Sequence, residues 1–229
     1  MLGVILLKVM LEKSLAEAKT YQLKPITGEE RTECLNNIII RGEVFDDEYH
    51  WPNLCRFLDQ NKHLFNNQYF TKAQTIEEFR GRTIPFKLLD SQNEVRFTFK
   101  SYMNLCRFLG QQLIHEYTGE LHFPDNTELT RWETGREMTV HSDNSWPDGD
   151  QTNHPTSFRT WSAIYYINDL YEGGEIYFPK LEWSYKPKAN TLLVFPSNDK
   201  FVHGVTKVTK GERYTFAMWY TQDFQYLEV

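Results

Sequence analysis

The chain has 229 residues, enough for one well-buried core, and a 40% hydrophobic content excludes an intrinsically disordered chain. A formal net charge of −6 argues against a reader of phosphate backbones, which needs clustered Lys and Arg that the short stretch "YKPKAN" does not supply. Three widely spaced cysteines, Cys34, Cys55 and Cys106, exclude a disulfide framework or a zinc knuckle, so a reducing, cytoplasmic setting is expected.

The opening "MLGVILLKVMLEKSLAEAKT" carries Leu2, Ile5, Leu6 and Val9 at helical spacing. Its apolar run is broken by Lys8, is too short to span a bilayer and lacks the basic start of a signal peptide. It is therefore read as an amphipathic helix packing on the body or a partner, with no membrane association. "NIIIRGEVF", residues 37 to 45, reads as a strand. "DDEYHWPNLCRFLDQNKHLF" predicts a helix with Asp46 and Asp47 as N-cap candidates, Pro52 near its first turn, and Leu54, Phe57 and Leu58 on one face. A second helix over "SYMNLCRFLGQQLIHEY" echoes the first: "NLCRFLDQ" at 53 to 60 returns as "NLCRFLGQ" at 104 to 111. So short a match predicts two helices packing similar Leu/Phe faces on one sheet rather than a duplicated unit.

From about residue 127 the texture changes to short β-type runs: "ELTRWE", "REMTVHSD", "RTWSAIYYIND", "GEIYFP", "TLLVFPS", "FVHGVTKV" and "RYTFAMWYT". Turn residues such as "ETG", "EGG" and "KG" separate them, which predicts an antiparallel sandwich or jelly roll. Helices first and strands after, with no Gly/Ser linker, give a single α+β domain over 1–229. Residues 1–125 would be mainly helical support with edge strands, packed on one sheet, and 126–229 the core.

Within a strand, His141 and Asp143 point to the same side, so one imidazole and one carboxylate can reach a common point. The downstream histidines are His154, in the loop "PDGDQTNHPT", and His203, on a predicted strand and the better third ligand. Two His and a carboxylate make the facial triad that holds Fe(II) with open positions, although zinc accepts the same set. The bland reading is polar residues passing from a strand into a loop. Arg213, ten residues beyond His203, adds an inward-facing guanidinium whose charge needs an anionic partner. That partner is either an organic carboxylate held bidentately or a nearby acid such as Glu212 or Asp169.

"RWETGREMTVHSD", "RTWSAIYYINDLYEGGEIYFP", "YKPKANTLLVFPS" and "HGVTKVTKGERYTFAMWY" together resemble the prolyl 4-hydroxylase branch of the Fe(II)/2-oxoglutarate dioxygenases, over about residues 131 to 221. The resemblance implies a double-stranded β-helix (jelly-roll) core. It implies His141, Asp143 and His203 as iron ligands, Arg213 and Tyr166 on the distal carboxylate of 2-oxoglutarate, and Trp219 near the cosubstrate or simply in the core. Three positions depart from the pattern: Trp132 and Met138 stand where relatives often carry Tyr, and Arg213 replaces the Lys of collagen-type enzymes. The charge of Arg213 keeps cosubstrate binding, whereas the two lost phenols leave the substrate open.

The resemblance further implies Fe(II) as cofactor, 2-oxoglutarate and O2 as cosubstrates, ascorbate (vitamin C) as a stimulant, and release of succinate and CO2. The expected target is a prolyl residue in a peptide or protein. Alternatives are a free amino acid, another small molecule, a nucleobase, or a non-catalytic jelly-roll binding module, and no nucleic-acid partner is expected. The loop "NSWPDGDQTNHPTSF", 144 to 158, follows the second ligand and offers Trp146 as a substrate contact, with Asp148 and His154 read as solvated. Arg159 and Trp132 are the other candidate substrate contacts.

Overall fold

A computed structural model describes residues 32–35, 37–65, 82–85, 94–146 and 148–228. The amphipathic helix expected over the first twenty residues lies outside them. The first part holds β1 (Thr32–Leu35), β2 (Ile38–Arg41), α1 (His50–Gln60), β3 (Arg82–Pro85) and α2 (Glu94–Thr118). The strand-rich part follows: β4 (Phe123–Trp132), β5 (Met138–His141), β6 (Arg159–Tyr166), β7 (Tyr171–Gly173), β8 (Ile176–Phe178), β9 (Trp183–Tyr185), β10 (Thr191–Pro196), β11 (His203–Val205), β12 (Val208–Gly211) and β13 (Arg213–Thr221).

The seven-stranded major sheet runs β1-β2-β10-β6-β13-β4-β3, and the four-stranded minor sheet runs β5-β11-β8-β9; β12 and β7 form a separate ribbon. Every pairing among the described residues is antiparallel, the jelly-roll arrangement expected from the short strands and their turns. Among the described residues no helix is long and apolar enough to cross a membrane.

Strand alternation divides the major sheet into two chemistries. On β13, Tyr214, Phe216, Met218 and Tyr220 join Trp161, Ala163 and Tyr165 of β6 in the core that includes the helices. Each large apolar side chain buried there contributes about 1.5–3 kcal/mol. The intervening residues Arg213, Thr215, Ala217 and Trp219 line a cavity with Ser162 and Ile164 of β6. A second apolar cluster, with Ile38, Ile40, Phe178, Leu193 and Phe195, closes the space between the sheets.

Helices α1 and α2 cover the outer face, and the eight-residue echo is explained by it. Leu54 and Leu58 of α1 and Leu105 and Leu109 of α2 occupy equivalent helical positions and are buried in the same core. The two stretches differ where Asp59 is exposed but Gly110 is buried. A Cβ on Gly110 would overlap the hydroxyl of Tyr220, which donates to the Arg107 carbonyl at 3.0 Å. At the α1 N-terminus neither candidate is the N-cap, which is Tyr49 with no side-chain cap hydrogen bond. Asp46 accepts from the amides of Tyr49 at 2.7 Å and His50 at 3.2 Å, whereas the Asp47 carboxylate instead accepts from the Asn190 side chain at 3.1 Å. Pro52 lies in the first turn, where its missing N–H would be unpaired in any case.

Candidate metal centre and cosubstrate pocket

Strand register brings the distant residues together. His203 on β11 pairs directly with His141 on β5, and their ring centroids are 4.4 Å apart. Asp143, two residues past His141, puts its carboxylate oxygens 3.6 Å from His141 Nε2 and 3.7 Å from His203 Nε2. One ligand atom from each of the three lies within 4.8 Å of the others, a set that can hold a metal ion. His154 is elsewhere: its ring packs edge-on to Trp146 at 4.9 Å, in the loop.

Both imidazoles are oriented by a backbone carbonyl two residues earlier in the chain. Nδ1 of His141 lies 3.1 Å from the Thr139 carbonyl and Nδ1 of His203 lies 3.0 Å from the Phe201 carbonyl. A proton held on each Nδ1 leaves the Nε2 lone pairs facing Asp143, the tautomer a metal requires. Burial alone would raise the pKa of Asp143, but His203, His141 and Arg159 outweigh it and hold the carboxyl well below the usual carboxylate range. One oxygen, Oδ2, also accepts from Ser162 Oγ at 2.6 Å, and Ser162 Oγ lies 2.8 Å from Ser197 Oγ. All three side chains are buried, so this hydroxyl pair fixes the carboxylate's plane.

At the other end of the cavity stands Arg213, 1% exposed. Glu212 does not take it, being bound instead to Arg131 and to the hydroxyl of Tyr214. Asp169 accepts from the Ala189 amide. Among the described residues, Arg213 Nε and one terminal nitrogen have no hydrogen-bond partner, and neither do the hydroxyls of Tyr166 and Tyr171 or the indole nitrogen of Trp132. The guanidinium carbon lies 5.0 Å from the ring centroids of both Trp132 and Tyr166. Burial raises the Tyr166 and Tyr171 hydroxyls, with Arg213 pulling the other way, so both are protonated donors near neutrality. A buried cation ringed by unused donors fits a carboxylate. Gly174, at φ +66°, gives the arginine stem its space, since a Cβ there would come within 3.1 Å of Arg213 Cδ.

The remaining sequence-selected residues divide. Trp219 lines the cavity, and Arg159 stacks over its ring at 4.3 Å while its Nε donates to Asp125 at 3.0 Å. Met138 and Trp132 also line the cavity, Trp132 against the Arg213 guanidinium. Trp146 is 46% exposed, with its indole donating to the Thr152 carbonyl at 3.1 Å, and is not among the cavity-lining residues. Ser162, Ser197, Tyr171 and Glu128 had no signal of their own in the sequence. Each is an ordinary strand-face or turn residue until register shows what lies opposite.

Known proteins share the sequence pattern and the fold. Residues 127–221, the jelly-roll segment, match the model of the 2OG-Fe(II) oxygenase superfamily. The chain is 32% identical over 184 residues to human prolyl 3-hydroxylase 2, a match covering 71% of this chain and 25% of that protein. The chain thus spans about a quarter of the length of the curated relatives it matches first. In fold it resembles the viral collagen prolyl hydroxylase of Paramecium Bursaria Chlorella virus-1, solved with 2OG, at a TM-score of 0.56 and 16% identity, covering 81% of this chain and 95% of that one. It also resembles a Trichoplax adhaerens prolyl hydroxylase, solved with a hypoxia inducible factor peptide, at a TM-score of 0.57 and 17% identity, covering 81% and 84%. Its fold is therefore the one shared by these two prolyl hydroxylases.

Proposed function

We propose that this protein is an Fe(II)- and 2-oxoglutarate-dependent hydroxylase acting on a prolyl residue of a peptide or protein. The observation that carries the reading is the unpartnered, buried Arg213 guanidinium in the same cavity as the His141, Asp143 and His203 side chains. A structural arginine would have found an acid, and a zinc hydrolase would have no use for it.

His141, Asp143 and His203 would hold Fe(II), leaving positions free for cosubstrate and O2. Bound there, the metal and 2-oxoglutarate supply the oxidising chemistry, with succinate and CO2 leaving as one C–H bond becomes C–OH. Arg213, with Tyr166, Tyr171 and the Trp132 indole, would hold the distal carboxylate, which makes Trp132 a cosubstrate residue more than a substrate contact. Ser162 keeps Asp143 in one orientation. The apolar walls, Ile164, Phe195 and Val205, exclude water from the reacting centre.

The peptidyl target is supported by the relatives, which carry the name of prolyl 3-hydroxylases, and by the peptide complex of the Trichoplax protein. The test is stoichiometric. Protein with Fe(II), 2-oxoglutarate and a prolyl peptide in air should yield one succinate per added oxygen atom, and amino-acid analysis should separate 3- from 4-hydroxyproline. His141→Ala should abolish both products; succinate formation that persists in that variant refutes the assignment.

A further inference from the structure

We propose that Glu128 reads the substrate, selecting a Lys or Arg side chain beside the residue that is hydroxylated. This deepens the hydroxylase reading and rests on it. Glu128 is half-buried on β4 and lines the same cavity as the metal triad. Across the sheet its register partner is Ala217 of β13, which in turn pairs with Ile164 of β6. One rung in one direction lie Asn126, Trp219 and Ser162, the last bonded to Asp143; one rung in the other lie Thr130, Thr215 and Tyr166. Rungs on one face are about 7 Å apart, so the carboxylate sits between the two ends of the site.

The charges of this cavity are unbalanced by one. Asp143 faces two imidazoles, Asp125 pairs with Arg159 and Glu212 with Arg131. Glu128 accepts one hydrogen bond, from Asn126 Nδ2 at 3.1 Å, and makes no ion pair with any described residue. Ala217 opposite has no side chain long enough to cover it. A divalent metal, a dianionic cosubstrate, Asp143 and Arg213 cancel one another, and the Glu128 charge is left over. Once a substrate seals the mouth and removes water, an uncompensated carboxylate is strongly disfavoured. The proline itself offers no remedy, because a prolyl nitrogen within a peptide has no N–H to donate. A neighbouring cationic side chain supplies both the charge and the donor.

The experiment uses the full chain loaded with Mn(II) and 2-oxoglutarate without turnover, and fluorescent ten-residue prolyl peptides that carry either Lys or norleucine directly before or directly after the proline. Anisotropy should show the Lys peptide of one of these pairs binding about tenfold tighter than its norleucine counterpart. In Glu128→Gln the ratio should fall to within about twofold, with the affinities for Mn(II) and 2-oxoglutarate unchanged, which controls for folding. Equal binding within both pairs by the wild type, binding of none of the peptides, or a preference retained in Glu128→Gln overturns the proposal alone. Failure of the wild type to bind 2-oxoglutarate overturns the hydroxylase reading and this proposal with it.

Discussion

Arg213→Met should stabilise the protein in the absence of ligands and remove its response to 2-oxoglutarate. In the wild type, two guanidinium nitrogens are desolvated without an acceptor. Each orphaned donor costs about 1–3 kcal/mol. The faces of Trp132 and Tyr166, each centred 5.0 Å from the guanidinium carbon, return about 0.5–2 kcal/mol apiece. The net penalty is about 1–2 kcal/mol. Methionine has comparable reach and no polar requirement, so it relieves most of that penalty. For a chain of this size the gain corresponds to a rise in Tm of about 2–8 °C. With Mn(II) present, 2-oxoglutarate at a hundred times its Kd adds about 2.7 kcal/mol to the wild type. The variant, having lost a bidentate charged contact, should gain almost nothing at that concentration, so the order of the two melting temperatures narrows or reverses. Thermal unfolding by circular dichroism with and without cosubstrate reads both effects. A ligand-free variant that melts below the wild type would show that Arg213 has a structural partner, and equal cosubstrate shifts would remove it from the binding site.

Ser162→Ala should weaken Mn(II) binding about 10- to 100-fold by calorimetry, whereas Ser162→Thr, which keeps the hydroxyl, should stay close to wild type; equal affinities in all three would mean that Ser162 does not orient Asp143. Gly110→Ala should lower unfolding free energy in urea by about 1–3 kcal/mol, because the new methyl displaces the buried Tyr220 hydroxyl from its carbonyl; an unchanged midpoint would show that the helix can shift away. For Glu212, burial opposes ionisation, but Tyr214, Arg131 and Lys62 outweigh it and lower the carboxyl below its ordinary 4.5. A depressed carboxylate contributes stability above its unfolded value and loses it as pH falls through the folded one. Glu212→Gln should therefore cost about 0.5–1 kcal/mol from pH 7 to 5, modest because solvent screens the pair, and the difference from wild type should collapse below about pH 4.5. A gap that persists into acid would refute the ionic origin.

The sequence by itself determined the features whose cause is local. Alternation of apolar and polar residues fixed "RTWSAIYY" and "RYTFAMWYT" as strands, because a pleated chain turns successive side chains to opposite faces whatever its neighbours are. The same rule predicts His141 and Asp143 on one side of a strand, but β5 ends at His141 and Asp143 reaches the same point from the bend that follows; the spacing of Leu54 and Leu58, repeated at Leu105 and Leu109, defined two helical faces for one core. Asp46 and Asp47 were equivalent cap candidates in sequence; the fold made neither the N-cap, giving one to the amides of Tyr49 and His50 and the other to Asn190.

Only the tertiary structure decided what lies across from each residue. The antiparallel pairing of β11 with β5 chose His203 over His154 as the third member of the triad. The sheet turned Arg213 away from Glu212 and into the cavity, converting a possible salt bridge into a waiting cation. Ser162, Tyr171 and Glu128 gained their roles in the same way. Register is set by hydrogen bonds between strands far apart along the chain, and a single strand's sequence carries its own pattern but not its neighbour's offset.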